Sequence, residues 1–169
     1  YQADLVVLDD LEDFNVTEVY HKGTKIIRDE KKEIRACDPK LKNTVHISNF
    51  SEKQLELPWK EGKAHILRML EGQIVTEDIL EEPSYTEKDG RKFFVSDDRF
   101  QKIAVIERHK GTGKNSVGIV SGFGLRGGAI ASSVSHDSHN IIVIGDNDHD
   151  MYLAVQELIR TQGGYTLVK

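Results

Sequence analysis

Between Ser135 and Asn140 the chain reads Ser-His-Asp-Ser-His-Asn, which packs hydroxyls, two imidazoles, a carboxylate and an amide into one turn. Such a mixture has little value in an apolar core; it suits proton transfer or hydrogen bonding to the edge of a base. His136, Asp137 and His139 are the candidate catalytic groups, and Ser138 and Asn140 the candidates for binding substrate. Adjacency does not make a Ser-His-Asp triad, because the three side chains must converge and chain neighbours usually point apart. His136 and His139 are too few to hold a metal, and no other cluster is evident, so no metal ligand is assigned. The competing interpretation is a structural turn in which Asp137 bonds its own backbone.

Three further stretches resemble known chemistry and fail on spacing. Gly122-Phe123-Gly124-Leu125-Arg126-Gly127 is a literal G-x-G-x-x-G after an apolar run, with Asp146 about 20 residues on, as in a dinucleotide fingerprint. That fingerprint needs a crossover helix after its third glycine, and only about a dozen residues, rich in serine, separate Gly127 from the next apolar run. The glycines are expected to turn a backbone tightly between strands. Gly111 to Ser116 suggests a phosphate loop, but Arg108 stands where the first glycine should be and Asn115 where a magnesium-binding hydroxyl should be. Asp146, Asp148, Asp150 and Glu157 match calcium-loop positions, yet Met151 replaces the glycine of the sharp turn. As a helix cap and first-turn acids the same residues are well placed.

The elements that must position these groups are mostly strands. "ADLVVLDD" (3–10) reads as a buried strand, and Val16, Val19 and Tyr20, then Lys22-Gly23, then Ile26-Ile27 read as a hairpin. A charged connector follows over 28–43, and 50–62 ends in Pro58 and Gly62 like a boundary. Beyond it, 63–83 alternates as one or two strands with a turn at Glu71-Gly72. "RKFFVSDD", "FQKIAVIERH", "NSVGIVSG" and "NIIVIGD" add four more. Met151, Ala154, Val155, Leu158 and Ile159 fall on one face of a helix, with Asp148 expected to cap its start and Gly163 its end. The expected fold is α+β: a small β-sandwich remnant over 1–49, then a mixed, mainly antiparallel sheet domain with one clear helix over 50–169.

A net charge of -5 without a concentrated basic face argues against nucleic acid or anionic lipid as partner. The basic residues from Arg108 to Lys114 are read as a solvated loop. One cysteine, Cys37, excludes an internal disulfide framework and fits a reducing, cytoplasmic compartment. No apolar run approaches the roughly 20 residues that span a bilayer. The chain opens on Tyr1 ahead of a strand-like run and closes on Tyr165 to Lys169 without a turn, which reads as a piece of a longer protein.

"GFGLRGGAIASSVSHDSHNIIVIGDND", preceded by "ERHKGTG", resembles the carboxy-terminal domain of adenine deaminases of the amidohydrolase superfamily. "ADLVVLDDLEDFNVTEVYHKGTKI" is similar to the strands that follow the catalytic barrel in that family. The resemblance implies a homo-oligomeric hydrolase of purine salvage that converts adenine and water to hypoxanthine and ammonia. It also implies a divalent metal (Mn, Fe or Zn) in a (β/α)₈ barrel that activates the water. No two of the seven histidines form the H-x-H pair such a barrel supplies, so the metal and its ligands are expected outside these residues. On this reading the chain braces the barrel, is inactive alone, and lends the His136–Asn140 loop to the barrel mouth. Its amino-terminal strands then expose edges and one face. A non-catalytic purine-binding or regulatory module is the alternative.

Overall fold

The computed structural model describes residues 2–26, 36–39 and 42–169, which form two compact units, Tyr1–Cys37 and Asp38–Lys169. The division falls between Cys37 and Asp38. Most of the charged connector expected over 28–43 lies outside the described residues, as does Ile27.

The first unit is a three-stranded antiparallel sheet of β1 (Leu5–Leu8), β2 (Val16–His21) and β3 (Thr24–Ile26), in that order. The expected hairpin turn forms at Lys22-Gly23, where φ of 51° and 74° gives the left-handed pair that matches strand twist. The Asp4 carboxylate accepts the Lys22 N–H at 2.8 Å, and Gly23 N–H donates to the Ala3 carbonyl at 2.8 Å, closing the turn. The strand from the "ADLVVLDD" run is not buried: Leu5 and Val6 are 57% and 59% exposed. It is the outer strand of its sheet, and among the described residues of this unit no second layer covers either face.

The second unit is built on a seven-stranded mixed sheet. Its strands are β4 (Ala64–Met69), β5 (Thr76–Glu81), β8 (Phe100–Ile106), β9 (Asn115–Ser121), β10 (Ala129–Ser132), β11 (Ile141–Gly145) and β12 (Tyr165–Val168). Their order is β12-β10-β11-β8-β9-β4-β5, antiparallel except where β4 runs parallel to β9. A separate hairpin joins β6 (Tyr85–Lys88) to β7 (Arg91–Phe94). The one α-helix among the described residues, α1 (Asp148–Thr161), presents Met151, Ala154, Val155 and Leu158 to the sheet. These residues are fully buried against Ala104, Ile106, Ile141 and Val143, together with Val45, Phe50 and Leu55 from a segment carrying a 3₁₀ turn at Glu52–Leu55. A second cluster of Ile66, Phe94, Phe100 and Ile119 lies beside Leu57 and Trp59.

The caps of α1 differ from expectation by one residue at each end. Asn147, in extended backbone, accepts the Asp150 N–H on its side chain, so it and not Asp148 is the N-cap. Gln162 takes the left-handed conformation at the other end, and Gly163 N–H returns to the Leu158 carbonyl at 2.9 Å. Asp148 is thereby released to face Lys102.

Candidate functional site

The Ser135–Asn140 turn joins β10 to β11 and is drawn tight by its own backbone. Ser138 N–H donates to the His136 carbonyl and His139 N–H to the Ser135 carbonyl, each at 2.9 Å. Two residues pay in strain for that tightness, since Asp137 and His139 sit at φ of 64° and 50°. Ser135 is buried at the base, while His136 and Asp137 have side chains 97% and 90% exposed at the tip. There the His136 Nδ1 lies 3.0 Å from the Asp137 carboxylate, which therefore faces an imidazole rather than its own backbone. Asn140 is the inward-facing member: its side-chain oxygen is buried and has no hydrogen-bond partner. The turn thus brings His136 and Asp137 together as a solvent-facing imidazole–carboxylate pair, with His139 and Ser138 exposed beside them and Asn140 turned under the loop. A pair of this kind can exchange a proton with a group presented to it.

Two residues that hold the turn escape a reading of the sequence. Arg108 donates from Nε to the His139 carbonyl, and from a terminal nitrogen to the Thr44 carbonyl at 2.8 Å and hydroxyl at 3.1 Å. His109 Nε2 lies 2.8 Å from the Ser138 carbonyl. The Arg108–Lys114 stretch expected to be a solvated loop is therefore the clamp of the candidate site at its Arg108 end. Its only signal in the sequence is proximity of Arg108 and His109 to a glycine-punctuated turn.

The phosphate-loop and dinucleotide lookalikes each resolve into a carboxylate that binds the protein's own backbone. Glu107, ahead of the Gly111–Ser116 turn, accepts N–H bonds from His109, Lys110 and Thr112 and the Thr112 hydroxyl at 2.6 to 3.1 Å. Those donors, the Lys110 and Thr112 amides foremost, bring its carboxyl from 4.5 down to about 2. The nest a phosphate would need is filled by Glu107. In the G-x-G-x-x-G stretch the chain passes from β9 into β10 with no helix, and Gly127 and Gly128 donate their N–H groups to Asp146 at 2.5 and 3.1 Å. Partial burial raises the Asp146 carboxyl, but these amides and the Asn147 side chain outweigh it and hold it low. The acid that would bind a ribose instead fastens the loop to the start of α1. Of the calcium-loop candidates, Asp148 faces Lys102 and Glu157 faces Arg160, both from within the helix.

Among the described residues no three His, Cys, Asp or Glu side chains come together as metal ligands. No helix in them is long and apolar enough to cross a membrane.

Comparison with known proteins bears on the same stretch. The family model described as the adenine deaminase C-terminal domain matches residues 73–169, which include the turn, its clamp and α1. An adenine deaminase of Desulfitobacterium hafniense (strain Y51) is 47% identical over 169 residues, all of this chain and 29% of the relative. Adenine deaminases of Nitratidesulfovibrio vulgaris (strain DP4) and Petrotoga mobilis (strain DSM 10674 / SJ95) are 44% and 38% identical over 98% and 99% of the chain. The chain spans 29% to 30% of the length of these relatives. It is a mixed α+β chain whose second unit carries that domain's sequence, and it belongs to the adenine deaminase C-terminal domain family.

Proposed function

We propose that this chain works as the C-terminal part of an adenine deaminase of the amidohydrolase superfamily, a cytoplasmic homo-oligomer serving purine salvage. The reaction replaces the exocyclic amine of adenine by oxygen: a C6–O bond forms, the C6–N bond breaks, and of the two protons of water one leaves with the amine as ammonia and the other stays on ring N1 of hypoxanthine. The divalent metal (Mn, Fe or Zn) that activates this water belongs, on this reading, to a (β/α)₈ barrel in the remaining part of the enzyme. The observation that carries the reading is the full-length similarity to proteins named adenine deaminase, together with the family match over 73–169.

What this chain contributes is bracing and one loop. His136 and Asp137, paired at the exposed tip, are suited to relay a proton between solvent and a base held against them. His139 and Ser138 flank that pair, and the Asn140 amide is suited to a hydrogen bond with a purine edge once the loop is covered. Singly replacing His136, Asp137 and His139 in the complete enzyme tests this. Loss of a proton relay lowers kcat by about 10²-fold or more, whereas Asn140→Ala raises KM. Unchanged turnover and unchanged adenine affinity in all four variants would remove the loop from the site and leave the chain a brace.

A further inference from the structure

We propose that the cavity between the β6–β7 hairpin and the amino end of α1 binds a small neutral heterocycle carrying both N–H donors and acceptor nitrogens or carbonyls. The cavity has a volume of about 280 Å³ and draws no residue from the His136–Asn140 turn, so it is a second site, independent of the loop assigned above. Its floor is Lys102 on β8, whose side chain is only 6% exposed. An ammonium has three N–H donors, and among the described residues Asp148 is the one acceptor that meets them. The remaining N–H groups of so buried a cation face the cavity, where water or the acceptor atom of an occupant can meet them. The site therefore asks for an acceptor at its floor.

The walls set the rest of the chemistry. Phe93 on β7 lines one side with an aromatic surface, and Thr86, its cross-strand partner on β6, adds a hydroxyl. Asp148 and Glu56, the residue after the 3₁₀ turn, also line the cavity with carboxylates able to accept N–H bonds from an occupant. Charges of both signs line the cavity, with Lys88 and Lys102 against Glu56, Asp146 and Asp148. That balance disfavours a phosphate and a free cation alike. The volume has room for one ring system such as a free base.

Titrating the isotopically labelled 169-residue chain with adenine, hypoxanthine and inorganic phosphate, followed by amide NMR, tests the site. Saturable shifts with a free base at Thr86, Phe93, Lys102 and Asn147, and none with phosphate, are expected. Thr86→Trp, on an exposed strand position, fills the cavity without touching the core and should weaken binding at least tenfold; Lys102→Met should do the same if it folds. Absence of saturable shifts with either base, shifts confined to 136–140, phosphate binding at the same amides, or unweakened binding in Thr86→Trp would each overturn the proposal. Turnover in the complete enzyme is a separate readout, so failure of the loop's role leaves this result standing.

Discussion

At the scale of single residues the second unit is fastened by carboxylates and one guanidinium working on backbone atoms. Glu107 gives a pH signature. Its carboxyl titrates near 2 in the folded chain against 4.5 when unconstrained, so its contribution to stability is complete above about 4.5 and disappears as the pH falls from there toward 2. Chemical unfolding followed across that window should show the loss, and Glu107→Gln should flatten this part of the profile; an unaltered profile in the variant would refute the assignment. Arg108 is the second test. Arg108→Ala removes its bonds to His139 and Thr44, and should cost about 1–3 kcal/mol while speeding amide exchange across 136–140 in particular. Arg108→Lys should not restore the loop, because an ammonium lacks the fork that reaches both carbonyls. The composition of the Ser135–Asn140 turn was legible from sequence, since polar, titratable residues in that density are easily seen. Its clamp was not, because Arg108 finds its partners 31 and 64 residues away, a distance over which no spacing rule operates.

At the scale of elements, periodicity served where an element had one buried and one open face. α1 was legible from the i, i+3, i+4 spacing of Met151, Ala154, Val155 and Leu158. Leu158 is fully buried on that face, so Leu158→Ala should lower stability by about 2–5 kcal/mol in denaturant unfolding; a loss under about 1 kcal/mol would mean that the helix is not packed as described. The strands β8, β9 and β11 were also legible, as apolar runs between glycine- and serine-rich breaks. Shorter strands were less so. β10 is four residues of small and branched side chains between a glycine loop and the candidate turn, and only its pairing with β11 and β12 makes it a strand. Its Gly128 entry could not be read from sequence either: a Cβ there would collide with the Val168 carbonyl oxygen, a neighbour made only by the fold. The helix caps moved by a residue because Asn147 and Asp148 are both competent N-caps, and the Lys102 ammonium claims the second of them.

At the scale of the molecule, the two units differ in how far they satisfy themselves. The second has a continuous core from Val45 to Leu158, which the sequence signalled as an α+β domain with a mainly antiparallel sheet. The described residues of the first form one three-stranded sheet whose Leu5, Val6, Leu11, Phe14 and Val16 are more than half exposed, where an apolar run had suggested burial. Hydrophobic character announces that a strand seeks a partner layer, and it does not say whether the layer lies in the same unit. Among the described residues no metal-ligand cluster forms, and the proposed function gives the exposed pair His136–Asp137 the task of moving protons while water is activated elsewhere. The measurement that bears most directly on this division of labour is ammonia release from adenine by the purified 169-residue chain supplied with Mn²⁺. No ammonia above the uncatalysed background is expected from the chain alone, whereas turnover by the chain in the absence of any other protein would contradict the placement of the water-activating atoms outside it.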